Sequence, residues 1–265
     1  MRPADDDVPA LIERALSPDE ETAAEATMAL QRRGDAETLD AMRTLLGDPR
    51  PRRRSLAADV IGQLGVPERT LPEECFTALA ARLAVEDDAA VIGDLGIAFG
   101  HLRDPRAIAL LLPHARHTDP RARYGVVMGL MGHDDADALD ALVALSTDAD
   151  AEIRNWSTFA LGTQTEVDTA AIRAALVARL DDADPHTRSE AMVGLAERDD
   201  PAAVPAIARA LREGIDPAAI EAAARLGDPS LHAPLVALRD HPELTARYAE
   251  ELDEAIARCD PDAEM

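Results

Sequence analysis

The stretch Asp119-Pro120-Arg121-Ala122-Arg123 contains a turn signature that recurs along the chain. An acidic residue followed four positions later by arginine appears again at Asp150 (Asp-Ala-Glu-Ile-Arg) and at Asp184 (Asp-Pro-His-Thr-Arg), at spacings of 31 and 34 residues. A fixed period of this length is typical of a solenoid, whose units bury their apolar faces against their neighbours. Because the apolar core residues are taken up by contacts between neighbouring repeats, we expect the functional residues to lie on an exposed face.

Capping residues predict where the two helices of each unit begin. Aspartate caps free backbone N–H groups, proline suits the first helical position, and glycine closes the preceding helix. The first helices are predicted to begin near Asp19, Asp48, Asp88, Asp119, Asp150, Asp184, Asp216 and His241. The second helices are predicted to follow turns at Gly34-Asp35, Asp104-Pro105, Asp134-Asp135, Asp168, Asp200-Pro201 and Asp228-Pro229. Residues 66–72 are predicted to form a longer loop.

The pattern predicts an all-α, right-handed solenoid of about eight helix pairs, running as a single array over residues 1–265. An N-terminal capping pair is expected at 8–34 and the central repeats at 35–240. A C-terminal capping helix with a polar outer side is expected at 241–259, followed by a frayed tail at 260–265.

Charge is the second strong feature of the chain. Its 51 acidic and 27 basic residues leave a formal net charge of −24, and every basic residue is arginine. A surface this acidic repels phosphate groups, which argues against nucleic acid and anionic membranes as partners. Two explanations stay open: the composition reflects a GC-rich or salt-adapted source, or the surface is selected for a basic protein partner.

Cysteine usage and the N-terminus suggest a location. Cys75 and Cys259 are far apart and neither lies in a CxxC motif, so no disulfide framework is indicated and a reducing cytoplasm is expected. The acidic segment Met1 to Asp7 is followed by no long apolar run. We therefore expect neither a signal peptide nor a membrane span.

The repeat resembles the short bacterial HEAT repeat, also called phycobilisome-lyase-like. Its consensus reads roughly Asp-Pro-x-Val-Arg-x-x-Ala-x-x-Ala-Leu-Gly, followed by a turn and a second helix. Three segments match it closely: 119–131, 150–162 and 184–196. Two further units keep the spacing but have Ile92 and Ile220 where the arginine belongs. The resemblance implies the fold; its members include scaffolds, lyase subunits and enzymes, so it says less about function.

The recurring acid and arginine residues are expected to be structural. In HEAT-type stacks the resemblance implies a ladder between neighbouring turns, and recurrence in every unit is what packing rather than catalysis would produce. The ladder residues are Asp119, Arg123, Asp150, Arg154, Asp184 and Arg188.

The resemblance also implies that the helix after each acidic turn lines the concave face. Helical spacing then predicts a partner-binding set on that face: Asp94, Tyr124, Met128, Asn155, Phe159, Ser189 and Glu190. Its aromatic and methionine side chains would anchor a partner, its two carboxylates would select positive charge, and its amide would donate or accept hydrogen bonds.

Glycines within the helices of this region allow two interpretations. Gly93, Gly96, Gly125 and Gly129 each cost about 1 kcal/mol relative to alanine. That cost indicates either very close helix packing or space left for something that binds.

Other polar groups carry weak signals. His114 and His117 lack the additional ligands of a metal site, and no histidine precedes a glutamate as in the di-iron hydroxylases of HEAT architecture. The cluster Arg50-Pro51-Arg52-Arg53-Arg54 is expected to balance nearby acidic charge or to dock an acidic peptide. We predict no catalytic residue, no metal and no cofactor.

Three functions follow from these features. The first is a non-catalytic scaffold or adaptor that binds a protein segment, a basic one in view of the charge, on the concave face. A more specific version is an inhibitor or immunity-type protein that masks a basic enzyme. The rival is a lyase-like enzyme or enzyme subunit. It predicts a deep pocket with at least two titratable groups of shifted pKa, whereas a scaffold predicts a shallow, elongated groove.

Overall fold

A computed structural model describes residues 7–241 and 246–262, and within these ranges the chain is all-helical without strands. The sixteen α-helices are α1 (Val8–Ala15), α2 (Glu20–Arg33), α3 (Ala36–Leu46), α4 (Pro51–Gly62), α5 (Pro72–Leu83), α6 (Ala89–Leu102), α7 (Arg106–Leu111), α8 (Pro120–Leu130), α9 (Ala136–Leu145), α10 (Ala151–Thr163), α11 (Ala170–Arg179), α12 (Pro185–Ala196), α13 (Val204–Glu213), α14 (Pro217–Leu226), α15 (His232–Ala237) and α16 (Ala246–Arg258). The predicted all-α class, with about eight helix pairs, is confirmed.

Aspartate caps begin most of the helices that follow an acidic turn. The Asp88 carboxylate, for example, accepts hydrogen bonds from the N–H groups of Ala90 at 3.0 Å and Val91 at 3.2 Å. The same role belongs to Asp19, Asp119, Asp150, Asp184 and Asp216. The start predicted near His241 concerns α16, and residues 242–245 before that helix lie outside the described residues.

Helix α4 departs from the predicted start near Asp48. Its N-cap is Arg50 and its first residue is Pro51. Proline disfavours helical backbone in the residue before it, and Arg50 is extended with φ −85° and ψ 118°. Asp48 instead accepts hydrogen bonds at 2.9 Å from both the backbone N–H and the Nε of Arg50.

The fold divides into two compact units, Met1–His133 and Asp134–Met265. In the first unit α2, α4, α6 and α8 pack in sequence, and α1, α3, α5 and α7 pack behind them. In the second unit α10, α12, α14 and α16 form the corresponding layer, backed by α9, α11, α13 and α15. We call the helices that follow the acidic turns the even layer of each unit. That all residues form one continuous array stays a prediction.

The core of each unit lies between its two layers. In the first unit Phe99 is fully buried, and its ring meets that of Phe76 edge-on at 5.6 Å between centroids. In the second unit Leu161, Leu176 and Leu195 are fully buried. Burying one such side chain contributes about 1.5–3 kcal/mol, so the alanine- and leucine-rich repeats suffice to hold the layers together.

The helix-interior glycines lie where α6 and α8 touch backbone to backbone. A Cβ atom on Gly93 would lie 2.6 Å from the carbonyl oxygen of Arg121. A Cβ atom on Gly96 would overlap the backbone of Gly125. Of the two interpretations left open by the sequence, the structure therefore supports close packing.

Candidate functional site

The recurring arginine Arg154 links consecutive even-layer helices, whereas Arg188 bonds the turn before its own helix. Arg154 donates from Nε and Nη2 to the two carboxylate oxygens of Asp182, at 2.9 and 3.0 Å, and from Nη1 to the carbonyl of Asp148 at 2.9 Å. Asp150 does not take part in this pair, because it caps its own helix α10. Arg188 bonds the carbonyls of Asp182 and Ala183.

The first unit repeats this arrangement with Arg54 and Glu86. The Glu86 side chain is fully buried and also accepts a hydrogen bond from Arg82 Nε at 2.7 Å. Burial raises the Glu86 pKa, but hydrogen bonds from Arg54, the Asp88 backbone and Arg82 outweigh it and bring the pKa to about 2. This acid was missed from the sequence. The signal was present, since Glu86 and Asp182 each precede a capping aspartate by two residues.

In the first unit, the predicted partner-binding residues lie on adjacent helices. Asp94 is on α6, and Tyr124 and Met128 are on α8. All three side chains are half-buried. The structure thus leaves part of each side chain open to solvent on the even layer of this unit.

In the second unit, the predicted residues divide between two environments. On α10, Phe159 packs edge-on against Trp156 at 5.6 Å, and the Asn155 Oδ1 atom is buried without a hydrogen-bond partner among the described residues. On α12, Ser189 donates to the Pro185 carbonyl at 3.1 Å and lines a cavity of about 50 Å³ beside α13.

Glu190, the next residue on α12, has different surroundings from Ser189. It is half-buried, and the charge of Glu221 on α14 acts on it. The two neighbouring residues were predicted as parts of one binding set, but their side chains border different features of the second unit.

Asp94 and Glu190 share an electrostatic state that differs from that of the other carboxylates. Within the described residues, these two are the carboxyl groups whose pKa is raised. Burial is the main cause in both. Charges of Asp59 and Asp88 add to it at Asp94, and the charge of Glu221 adds to it at Glu190. No described arginine forms an ion pair with either group, although at Glu190 the charge of His186 partly opposes the rise in pKa.

A pocket of about 320 Å³ lies between α4 and α6 in the first unit. Its polar lining consists of Arg52, Ser55 and Asp59 from α4 with Asp94 and His101 from α6. The His101 pKa is lowered, chiefly by burial and then by the charge of Arg69, against the opposing charge of Asp59. The pocket thus contains two titratable groups with shifted pKa values. Of its polar lining, the partner-binding set predicted from the sequence includes Asp94 alone.

A larger cavity of about 640 Å³ lies beside α14 and α16 in the second unit. Glu221, Glu251 and Glu254 line it together with Arg225, Arg258 and Tyr248. Arg225 pairs with Glu197 at 2.5 Å, and Arg258 lies 3.7 Å from Glu254. Three carboxylates and two arginines thus border this cavity.

Three arginines of the predicted basic cluster, Arg50, Arg53 and Arg54, pair with nearby acids. Arg53 pairs with Glu13 at 2.6 Å and Arg50 pairs with Asp48 at 2.8 Å. Arg52 donates to the carbonyl of Ser17 at 2.8 Å. These contacts fit the interpretation of the cluster as counter-charge.

The other polar candidates have structural surroundings. His117 Nδ1 accepts a hydrogen bond from the Asp119 backbone at 3.0 Å. Cys75 and Cys259 are unpaired, and burial raises the pKa of each thiol to about 11. Across residues 7–241 and 246–262, no three potential metal ligands converge. None of the helices described here is both long and apolar enough to cross a bilayer.

Comparison with known proteins identifies the family. A family model for HEAT repeats matches residues 8–92 and 76–162, together more than half of the chain. No curated protein matches. The crystal structure of YibA from Escherichia coli is similar over 97% of this chain and 93% of that chain, with 20% identity and a TM-score of 0.80. Its likeness shows the fold alone.

Human deoxyhypusine hydroxylase in complex with glycerol matches over 95% of each chain with 19% identity. Its TM-score is 0.38, so the likeness carries no argument. The repeated family match, the helix pairs and the similarity to YibA agree on one conclusion. The chain belongs to the HEAT-repeat family.

Proposed function

We propose that this protein is a non-catalytic interaction scaffold that binds a basic protein segment on the exposed face of its even layers. The observation that carries the proposal is the state of Asp94 and Glu190. Both carboxylates are half-buried on even-layer helices, and no described arginine neutralises them. Repeat proteins commonly bind partners on the extended face formed by equivalent helices of successive repeats.

Charge gives this face its selectivity. Burial and like charges destabilise the ionised forms of Asp94 and Glu190, and a cation from a partner would relieve both effects. The net charge of −24 would also speed the encounter with a basic partner at low ionic strength.

Half-buried apolar side chains would supply the anchors. Tyr124 and Met128 lie on the helix next to the one that carries Asp94, and Phe159 lies on the helix next to the one that carries Glu190. Aromatic and methionine side chains are enriched at the energetic centres of interfaces. Each unit therefore has an acidic group and an apolar group that a basic, amphipathic segment could contact.

The test is affinity capture from lysate of the source organism at low and high salt, followed by mass spectrometry. The wild type is expected to retain a basic protein that salt releases. A double variant, Asp94→Asn with Glu190→Gln, is expected to retain much less of it. Asp140→Asn serves as control because Asp140 is exposed on α9 and pairs with no arginine among the described residues. Equal retention by the double variant and the control would refute the proposal.

The inhibitor or immunity-type version of the proposal requires one further result. The captured protein would have to be an enzyme, and adding this chain in equimolar amount would have to abolish its activity. A captured protein whose activity is unchanged would identify an adaptor instead.

The pocket between α4 and α6 favours a second candidate, a ligand-binding or lyase-like enzyme subunit. Asp94 and His101 meet the expectation of two titratable groups with shifted pKa in one pocket. Native mass spectrometry of the purified protein tests this candidate. A small molecule that co-purifies, with no protein captured from lysate, would favour it over the scaffold.

A further inference from the structure

The pocket between α4 and α6 has a size that limits what it can hold. Its volume of about 320 Å³ lies at the lower end of the range for small-molecule sites, about 300–1,000 Å³. A single long side chain or a comparably small molecule fits this volume. The pocket lies wholly within the first unit, so its shape depends on the packing of that unit alone.

Its two carboxylates are held in position by neutral donors. At Asp94, hydrogen bonding with Ser55 of α4 lowers the pKa, against the rise caused by burial. Asp59 Oδ1 accepts hydrogen bonds from Gln31 Nε2 at 3.1 Å and Gln63 Nε2 at 3.2 Å. Neutral donors orient a carboxylate without cancelling its charge, so both groups keep their attraction for a cation.

Two arginines lie near the carboxylates, and each donates to a backbone carbonyl. Arg52, which lines the pocket, donates to the Ser17 carbonyl at 2.8 Å, and Arg69 donates to the Gly62 carbonyl at 2.7 Å. Neither guanidinium lies within ion-pair distance of Asp59 or Asp94. This differs from the buried acids Glu86 and Asp182, whose charges are neutralised by two arginines each.

The remaining lining suits an aliphatic stem. Leu16, Leu56, Ile97 and Ala98 form the apolar part of the wall. His101, whose pKa is lowered, presents a neutral ring that can accept a hydrogen bond. The two carboxylates outnumber the single lining arginine, Arg52, and with the acceptor ring and the apolar wall they are complementary to a cation on a flexible hydrocarbon chain.

We infer that this pocket binds one alkylguanidinium or alkylammonium group, with Asp59 and Asp94 facing the charge and the wall formed by Leu16, Leu56, Ile97 and Ala98 holding the stem. The inference deepens the proposed function, because an arginine or lysine side chain of the partner segment is one source of this chemistry. A free amine or guanidine of similar size is the other source.

The first experiment uses a defined probe rather than a partner. Isothermal titration calorimetry would follow n-butylguanidinium, with the neutral n-butylurea as its control. The wild type is expected to bind the guanidinium and not the urea. Asp94→Asn and Asp59→Asn are each expected to weaken binding about tenfold or more, because each removes one of the two facing charges. Asp140→Asn is expected to leave binding unchanged.

A third variant tests the pocket without altering its charges. Ile97→Phe should fill the space beside the half-buried Ile97 and abolish binding while both carboxylates remain. Circular dichroism and thermal melting of each variant confirm folding. Binding of n-butylguanidinium that survives Ile97→Phe and Asp94→Asn together, or no binding by the folded wild type at millimolar concentration, would overturn the inference.

A competition arm separates this inference from the scaffold proposal. A short peptide of alternating arginine and alanine would be titrated in the presence of n-butylguanidinium. Mutual displacement supports the pocket and a side-chain source. Probe binding without peptide binding supports the pocket with a free small molecule as its source, and counts against the scaffold. Peptide binding that neither Asp94→Asn nor the probe affects supports the scaffold and overturns the pocket inference.

Discussion

Arg54 and Glu86 join two consecutive even-layer helix starts through parallel hydrogen bonds, from Nε to Oε2 and from Nη2 to Oε1, both at 2.8 Å. Arg154 and Asp182 repeat the arrangement in the second unit. In both places the arginine also bonds carbonyl oxygens of the turn that precedes its own helix. The bidentate pair thus couples the turn of one repeat to the turn of the next.

Removing the arginine from this pair should be costly. Arg54→Met would leave the Glu86 side chain buried, with Arg82 as its remaining cation, and should destabilise the first unit by up to about 3–5 kcal/mol. Arg50→Met removes an ion pair whose arginine side chain is 63% exposed and should destabilise the unit much less, because solvent screens the pair. Urea denaturation would measure both, and similar losses would show that the buried pair has no special role.

The same pair predicts how stability depends on acid. The Glu86 pKa falls from 4.5 to about 2 on folding, so its contribution is complete above about pH 4.5 and is lost as pH falls toward 2. The urea midpoint of the wild type should therefore fall as the pH is lowered across this range. Glu86→Gln should be less stable at pH 7, and its midpoint should depend less on pH. If the midpoint of the variant fell as steeply with pH as that of the wild type, Glu86 would not be the stabilising carboxylate.

Backbone contact between α6 and α8 should not tolerate a side chain. Gly96→Ala places a methyl group against the backbone of Gly125 and should destabilise the fold by about 1–3 kcal/mol through overpacking. Gly47→Ala is the control, because its new methyl group would have the Thr44 carbonyl as its nearest neighbour, at 3.4 Å. A thermal melt distinguishes them. Equal stability of the two variants would mean that the helices can move apart without cost.

Capture of a partner should depend on the half-buried aromatic residues. Tyr124→Ala combined with Phe159→Ala should abolish capture while the helical circular dichroism signal remains, because truncation removes the proposed anchors. Val177→Ala, at an exposed apolar residue of α11 behind the even layer, should leave capture intact. If the double variant retains the partner as well as Val177→Ala does, the binding face lies elsewhere.

Neutralising Glu190 should stabilise the free protein. Its pKa is raised by burial and by Glu221, so ionisation disfavours the fold, and the penalty grows as pH rises above the unfolded value of 4.5. Glu190→Gln should therefore melt at a higher temperature than the wild type at pH 7, with the two converging at low pH. A lower melting temperature for Glu190→Gln would indicate that a stabilising contact holds this carboxylate.

Capping chemistry explains why most of the helix starts could be predicted. Asp119 and Asp184 cap the helices predicted from their turns, because an aspartate before proline satisfies free N–H groups locally. Asp48 does not cap α4, because Pro51 keeps the backbone of Arg50 extended and the helix begins at Pro51. Both outcomes depend on neighbours within a few residues, and in this turn the second proline, Pro51, decides where the helix begins.

The candidate site was less predictable. Asp94 could be selected from helical spacing, but Asp59 and His101 were not, since the three share a pocket only when α4 and α6 stack. Glu86 was missed because its significance depends on an arginine 32 residues earlier in the chain. Ser189 and Glu190 were grouped by adjacency, although one borders α13 and the other is affected by Glu221 on α14.

The amino-acid sequence alone specifies the helices, their pairing and the repeat, because capping, proline geometry and apolar spacing act over a few residues and recur with a fixed period. Tertiary structure decides which carboxylates are neutralised and which are left without a cation. An aspartate's electrostatic state depends on burial and on charges brought close by stacking, and stacking unites residues that are about thirty positions apart. Glu86 and Asp94 lie only eight residues apart. Packing nonetheless gives the first a lowered pKa between two arginines and the second a raised pKa at the edge of an open pocket.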